Sequence, residues 1–211
     1  MNTIKLYELG PTRSARCRWT LLEAGLEYES VGNDPSIIGS DELKRVHPLG
    51  KLPAAIIDGK PLFESAAIAA AIADLVPEKR LIAPPGTWSR SLHDQWVAFA
   101  LTEMEAWCWT AELNTMDFVI AEDRHVKAII PQCEMLYRRS AAALDAALAD
   151  TPYLVDGRFS VTDIIVGYTL NFGEETGWNA GFANLERYLE RLFARPHCTL
   201  VRYQTGEKAT P

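Results

Sequence analysis

The sequence carries groups able to hold a small peptide in two short stretches. Leu52 precedes Pro53, and a residue ahead of proline is biased toward an extended backbone, which leaves its N–H and C=O available to a peptide-like ligand. Further on, Glu64-Ser65 stands directly before Ala66, Ile68, Ala69 and Ile72, so Ser65 is expected to cap a helix whose free N–H groups can hold an anion. Nearer the N-terminus, Thr12 and Ser14 offer hydroxyls where Gly10-Pro11 breaks the chain. A hydroxyl at the start of a helix can donate to a developing negative charge, and the helix dipole acts in the same direction.

The elements that position these groups follow from local pattern. Ala54 to Ile57 is a short apolar run, and Asp58-Gly59 is a two-residue hairpin signal that supplies the positive φ angles of a primed turn. Pro61 cannot donate to a ladder, which places the returning strand at a sheet edge. Upstream, Ile4 to Leu6 with Lys5 and Tyr7 makes a strand, with Tyr7 expected in packing. Ala15, Trp19 and Leu22 recur at helical spacing and Gly25 stops that helix. A strand over Tyr28 to Val31 and a helix over Gly39 to Val46 complete the order β-α-β-α-β-β-α, which is thioredoxin-like.

Leu52-Pro53 and Glu64-Ser65, on this element order, resemble the glutathione-binding half of a glutathione transferase. In that family a residue before a cis-proline pairs its backbone with the tripeptide, and a Glu-Ser pair grips the γ-glutamyl end. The resemblance implies a cis Leu52-Pro53 bond and places Lys51 near the glycine carboxylate of glutathione. Thr12-Arg13-Ser14-Ala15-Arg16 is similar to the SRS-like sequence of many bacterial relatives, whereas aligning Arg16-Cys17 on plant-type members puts Pro11 at their catalytic serine. Thr12 and Ser14 therefore both stand as candidates for the hydroxyl that stabilises the thiolate. Cys17 lies one turn inside the helix, beyond the loop that carries the nucleophile of cysteine-type relatives, and is read as a buried structural thiol.

Composition narrows the classes. A chain of 211 residues with 48% apolar content can bury a packed core, and a net charge of -7 argues against a nucleic-acid surface. No apolar run approaches the roughly 18–20 residues that span a bilayer, and MNTIKLYELG lacks the apolar region of a signal peptide, so a cytoplasmic protein is expected. Cys17, Cys108, Cys133 and Cys198 are dispersed and read as reduced thiols, and the four histidines are scattered as well, so no metal is expected. Neither a P-loop nor GxGxxG is present.

The second half reads as helical. VPEKRLIAPPGTW, rich in proline, suggests a boundary, with a thioredoxin-like domain over 1–76, a linker over 77–88 and an all-α domain over 89–211. Leu92, Trp96, Phe99, Ala100 and Met104 give one helical period. Another helix is expected over Val126 to Leu148, kinked at Pro131. Ser160 and Asp163 form a capping box ahead of Ile164, Ile165 and Val166, and Leu185, Leu189, Leu192 and Phe193 mark a last helix.

In the family, the first long helix of the α domain lines the pocket for a hydrophobic electrophile, which assigns Met104 and Trp107, with Trp109 nearby. The resemblance thus implies a homodimeric enzyme that takes glutathione as co-substrate and adds it to an electrophile. A non-catalytic adaptor on the same fold and a glutathione-dependent disulfide reductase or peroxidase are the alternatives.

Overall fold

A computed structural model describes residues 2–202; the stretch 203–211, which the sequence reading includes in the helical domain, lies outside the described residues. Four strands form a mixed sheet in the order β2-β1-β3-β4, with β1 (Ile4–Glu8) parallel to β2 (Glu29–Gly32) and antiparallel to β3 (Ala54–Ile57). β4 (Lys60–Phe63) pairs antiparallel with β3 through a turn in which Asp58 and Gly59 take φ of 48° and 76°. Pro61 therefore sits on the sheet edge, where a missing donor costs least.

Strand alternation sorts the side chains between two cores. Ile4 and Leu6 of β1 enter the main core beneath α1 (Ser14–Ala24) and α3 (Ser65–Asp74), which pack against each other. Tyr7 faces the opposite side and packs with Leu43, Val46 and Ala54, held by the short α2 (Asp41–Lys44). Gly25, with φ of 68°, closes α1 as a left-handed cap.

After a proline-rich connector with a 3-10 turn at Pro77–Lys79, the chain becomes helical. α4 (Trp88–Phe99) runs into a π-helical segment, Ala100–Glu105, and then into α5 (Ala106–Leu113). α6 (Ile130–Ala147) starts at its proline: Pro131 occupies the first turn, where no N–H is needed, and does not kink the helix as expected. α7 (Val161–Glu175) is buried along most of its length and packs on α1, α3, α4 and α8 (Ala183–Phe193). Its start is the expected capping box, with Ser160 accepting from Thr162 N–H and Asp163 accepting from Ser160 N–H at 2.8 Å. One continuous core joins Cys17, Trp19 and Ile68 from the first half to Cys108, Ile164 and Ile165 from the second. No described helix is long and apolar enough to cross a membrane.

Candidate functional site

Strand register gathers the candidate groups at one end of the sheet. Ala54 pairs with both Tyr7 and Phe63, so the residues just before β3, just after β1 and just after β4 leave the sheet side by side. These are Lys51 to Pro53, Leu9 to Thr12, and Glu64-Ser65. The Leu52-Pro53 peptide is cis, and the main-chain groups of Leu52 lie beyond the last ladder pair. Gly50, at φ of 58°, brings this segment against Gly39, whose N–H donates to Gly50 C=O at 2.9 Å; a Cβ there would meet Gly39 Cα at 2.9 Å. Lys51 is exposed and has no ion pair among the described residues.

Ser65 is not the cap. Glu64 occupies the N-cap position of α3 with φ of 71° and ψ of 114°, and no side chain caps the helix. Positive φ is uncommon for a non-glycine residue, and such geometry concentrates at functional sites. Ser65 is the first helical residue and is buried, its hydroxyl oxygen accepting from Arg16 Nη1 at 3.1 Å. The sequence signal was the same in either case, because a serine before an apolar helical run reads as a cap until a tertiary donor is found for its oxygen.

The hydroxyls at the start of α1 separate into two environments. Ser14 is fully buried, and its Oγ accepts from Leu9 N–H at 3.2 Å. Thr12 is half-buried; its Oγ1 accepts from Ser14 N–H at 3.2 Å and can donate to Leu9 C=O at 2.5 Å or to Ser14 Oγ at 2.9 Å. Thr12 is thus the less buried of the two, while Ser14 is committed within the loop. Tyr7 hydroxyl donates to Glu42 at 3.1 Å on the other side of the sheet. Cys17 is fully buried with Sγ donating to Ser65 C=O at 3.6 Å, and burial pushes its thiol far above the ordinary range.

Glu105, whose sequence context of Glu103 and the nearby tryptophans gives no clear signature, ties the loop to the helical half. It is 3% exposed and pairs with Arg13 Nε at 2.5 Å and with Arg16 Nη2. Burial raises its carboxyl and the two guanidinium groups overcome that, leaving it low, at about 2. The reason is tertiary: α1 buries Arg16 at 1% exposure, and a buried guanidinium requires an anion from a distant part of the chain.

The aromatic residues Trp107 and Trp109 follow the π-helical segment on α5. Met104 is fully buried in the core, and Trp107 is half-buried against that core with Nε1 buried and unpaired. Trp109 does face the loop, with the Arg13 guanidinium 4.8 Å from its ring centroid and Phe118 at 6.1 Å. One extra residue in a π turn rotates everything beyond it by about 100°. Glu112 is one turn further along and half-buried; burial and the Glu175 charge raise its carboxyl to about 7, opposed by Arg13. Among the described residues no cluster of His, Cys, Asp or Glu could hold a metal ion.

Comparison with known proteins gives the same architecture. The glutathione S-transferase N-terminal domain model matches residues 2–74 and the glutathione S-transferase C-terminal domain model matches residues 116–196. Protein LigF of Sphingobium sp. (strain NBRC 103272 / SYK-6) is 29% identical, covering 92% of this chain and 91% of its own. Its crystal structure, described as a beta-etherase, superposes with a TM-score of 0.76 at 25% identity over 92% of this chain and 96% of that one. Glutathione S-transferase GstA of Escherichia coli O157:H7 is 25% identical over 92% of this chain and 94% of its own. A glutathione transferase from Methylococcus capsulatus str. Bath superposes with a TM-score of 0.78 at 28% identity, covering 92% and 95% of the two chains. With both domain models matched in order along a thioredoxin-like unit and a helical unit, the chain belongs to the glutathione S-transferase family, whose members use glutathione as a substrate.

Proposed function

We propose that the protein is a glutathione transferase that binds reduced glutathione, holds it as the thiolate and adds it to an electrophilic small molecule, acting as a cytoplasmic homodimer. The observation that carries this reading is the convergence of Leu52, Ser65 and Thr12 at one end of the sheet. Leu52 pairs its main chain with the cysteinyl residue of the tripeptide. Ser65 and the N-terminus of α3 take the γ-glutamyl carboxylate, with Glu64 on the ammonium, and Lys51 lies toward the glycine carboxylate. These contacts bring the thiol to Thr12 at the N-terminus of α1.

A free thiol with a pKa near ~8.5 is mostly protonated at neutral pH, so lowering that value is the main chemical task. Thr12 donates to the sulfur and gives up its bond to Leu9 C=O, while the α1 dipole favours the anion. The electrophile then stands between the sulfur and the Arg13–Trp109 pair, held by positioning.

Titration calorimetry with glutathione at millimolar concentration, paired with conjugation assays on a panel of electrophiles that includes a β-ether, tests the reading. Binding with thioether formation is expected. Binding without turnover of any electrophile replaces it with an adaptor role, and no binding overturns it.

A further inference from the structure

Arg13 follows Thr12 directly and carries a positive charge that its surroundings only partly answer. Its Nε pairs with Glu105 Oε1 at 2.5 Å, while Arg16 Nη2 takes the other Glu105 oxygen. Two guanidinium groups thus share one buried carboxylate. Arg16 is 1% exposed, whereas 31% of the Arg13 side chain is exposed, so the surplus charge meets solvent at Arg13. Beyond Glu105, the groups acting on Arg13 are Tyr168 and Glu112. Glu112 answers little of the charge, because burial and the Glu175 charge raise its carboxyl to about 7 and leave it mostly protonated below that pH.

The guanidinium is held in one orientation. Glu105 fixes its Nε edge and the Trp109 ring covers a face, with Cζ 4.8 Å from the ring centroid. Among the described residues neither Nη atom of Arg13 donates a hydrogen bond, and neither is buried without a partner. The Nη pair is therefore an open fork, the geometry that grips a carboxylate with two parallel bonds. Apolar surface stands beside it. Phe118, 59% exposed, lies 6.1 Å from Trp109 between ring centroids, on a stretch whose ends are tied where Val126 N–H donates to Asn114 Oδ1 at 2.7 Å. Asn114 Nδ2 donates in turn to Thr110 C=O at 2.8 Å, which fixes that tie to the end of α5.

We propose that the electrophile taken at this site is an aromatic acid, its carboxylate bidentate on the Arg13 Nη pair and its ring against Trp109 and Phe118. A half-buried indole and an exposed phenyl beside an open guanidinium fork match a flat apolar body with an anionic substituent. The inference rests on the transferase reading and narrows its electrophile from any hydrophobic molecule to one with a negative charge. With 4-chloro-3-nitrobenzoate, the glutathione sulfur bonds to the ring carbon that carries chlorine, chloride leaves with the C–Cl electron pair, and the thiol proton goes to water.

Steady-state kinetics of the full chain with 4-chloro-3-nitrobenzoate and its uncharged amide test it, each kcat/KM divided by the uncatalysed rate with glutathione so that ring activation cancels. The acid should be preferred about tenfold or more. Arg13→Lys keeps a cation for Glu105 and removes the fork, and should cut that preference about threefold; Arg13→Gln should abolish it. 3-Nitrobenzoate has no leaving group and reads the site without turnover: calorimetry on the glutathione-loaded protein should show it binding more tightly than 3-nitrobenzamide. Turnover of both electrophiles without preference, a preference that survives Arg13→Lys in full, or equal binding of 3-nitrobenzoate and its amide overturns the inference and leaves the transferase reading standing. Turnover of neither electrophile overturns it as well, and calorimetry with glutathione alone then shows whether the transferase reading falls with it.

Discussion

Arg16 Nη1 donates to the Ser65 hydroxyl oxygen at 3.1 Å, while Nη2 of the same guanidinium pairs with Glu105 and donates to Thr169 Oγ1 at 2.9 Å and Ile165 C=O at 3.2 Å. One buried side chain thus links α1 and α3 to the π-helical segment and α7. Because the Ser65 oxygen accepts from a cation, its proton is directed elsewhere and is polarised for donation.

Ser65→Ala should therefore act on glutathione binding more than on turnover. Loss of a hydrogen bond to a charged group, about 1.5–3 kcal/mol, corresponds to a rise of roughly 10- to 100-fold in KM for glutathione. Steady-state kinetics with glutathione varied should show it. A fall in kcat with KM unchanged would place Ser65 outside the ligand cradle.

Thr12 and Ser14 are expected to respond differently. Thr12→Ala should raise the pKa of bound glutathione, read by thiolate absorbance, and reduce kcat about 10- to 100-fold, with Thr12→Ser retaining most activity. Ser14→Ala leaves Leu9 N–H unpaired and should cost about 1–2 kcal/mol of stability without moving the thiol pKa. The reverse pattern would assign the thiol contact to Ser14.

Glu105 makes the fold sensitive to acid. Its carboxyl lies at about 2 in the folded protein against an ordinary 4.5, so its stabilisation is complete above 4.5 and is lost as pH falls toward 2. Glu105→Gln leaves Arg13 and Arg16 without their anion and should cost roughly 3–5 kcal/mol at neutral pH, with a flatter acid limb in denaturant melts. Equal acid sensitivity in both proteins would locate the effect elsewhere.

Glu112 works in the opposite sense. Its folded carboxyl is raised from 4.5 to about 7, so the folded state holds the proton more tightly and stability declines as pH rises from 4.5 to 7. Glu112→Gln should remove that decline and melt higher than the parent protein at pH above 7. Parallel melting curves across this window would contradict the placement of Glu112 against Glu175.

Cys17→Ala tests the thiol alternative. A fully buried sulfhydryl whose pKa is pushed far up supplies no thiolate, so conjugation should be unchanged while stability drops by about 1–2 kcal/mol for the lost buried atom. Loss of a glutathione-dependent reductase activity in this variant would restore the nucleophilic reading.

Elements whose signals are local were legible in the sequence. The turn at Asp58-Gly59 needs positive φ from two adjacent residues, and the box at Ser160 and Asp163 satisfies helix N–H groups within one turn. The misreadings share a different origin. Pro131 is compatible with a helix start or a kink, and only the end of the preceding turn at Lys127–Ile129 decides between them. Trp107 and Trp109 follow a π turn at Ala100–Glu105 that changes the phase of the helix, and no run of residue types announces that turn.

The sequence by itself determined the order of the strands and the residue types at the end of the sheet, because hairpin chemistry, strand alternation and capping act over a few residues. Tertiary structure alone decided that Ser65 is held by Arg16, that Glu105 anchors both arginines, and that Ser14 is fully buried while Thr12 is half-buried. Those outcomes depend on which groups meet across the sheet and the helical layer once water is excluded, where each buried charge must find a partner from a distant part of the chain.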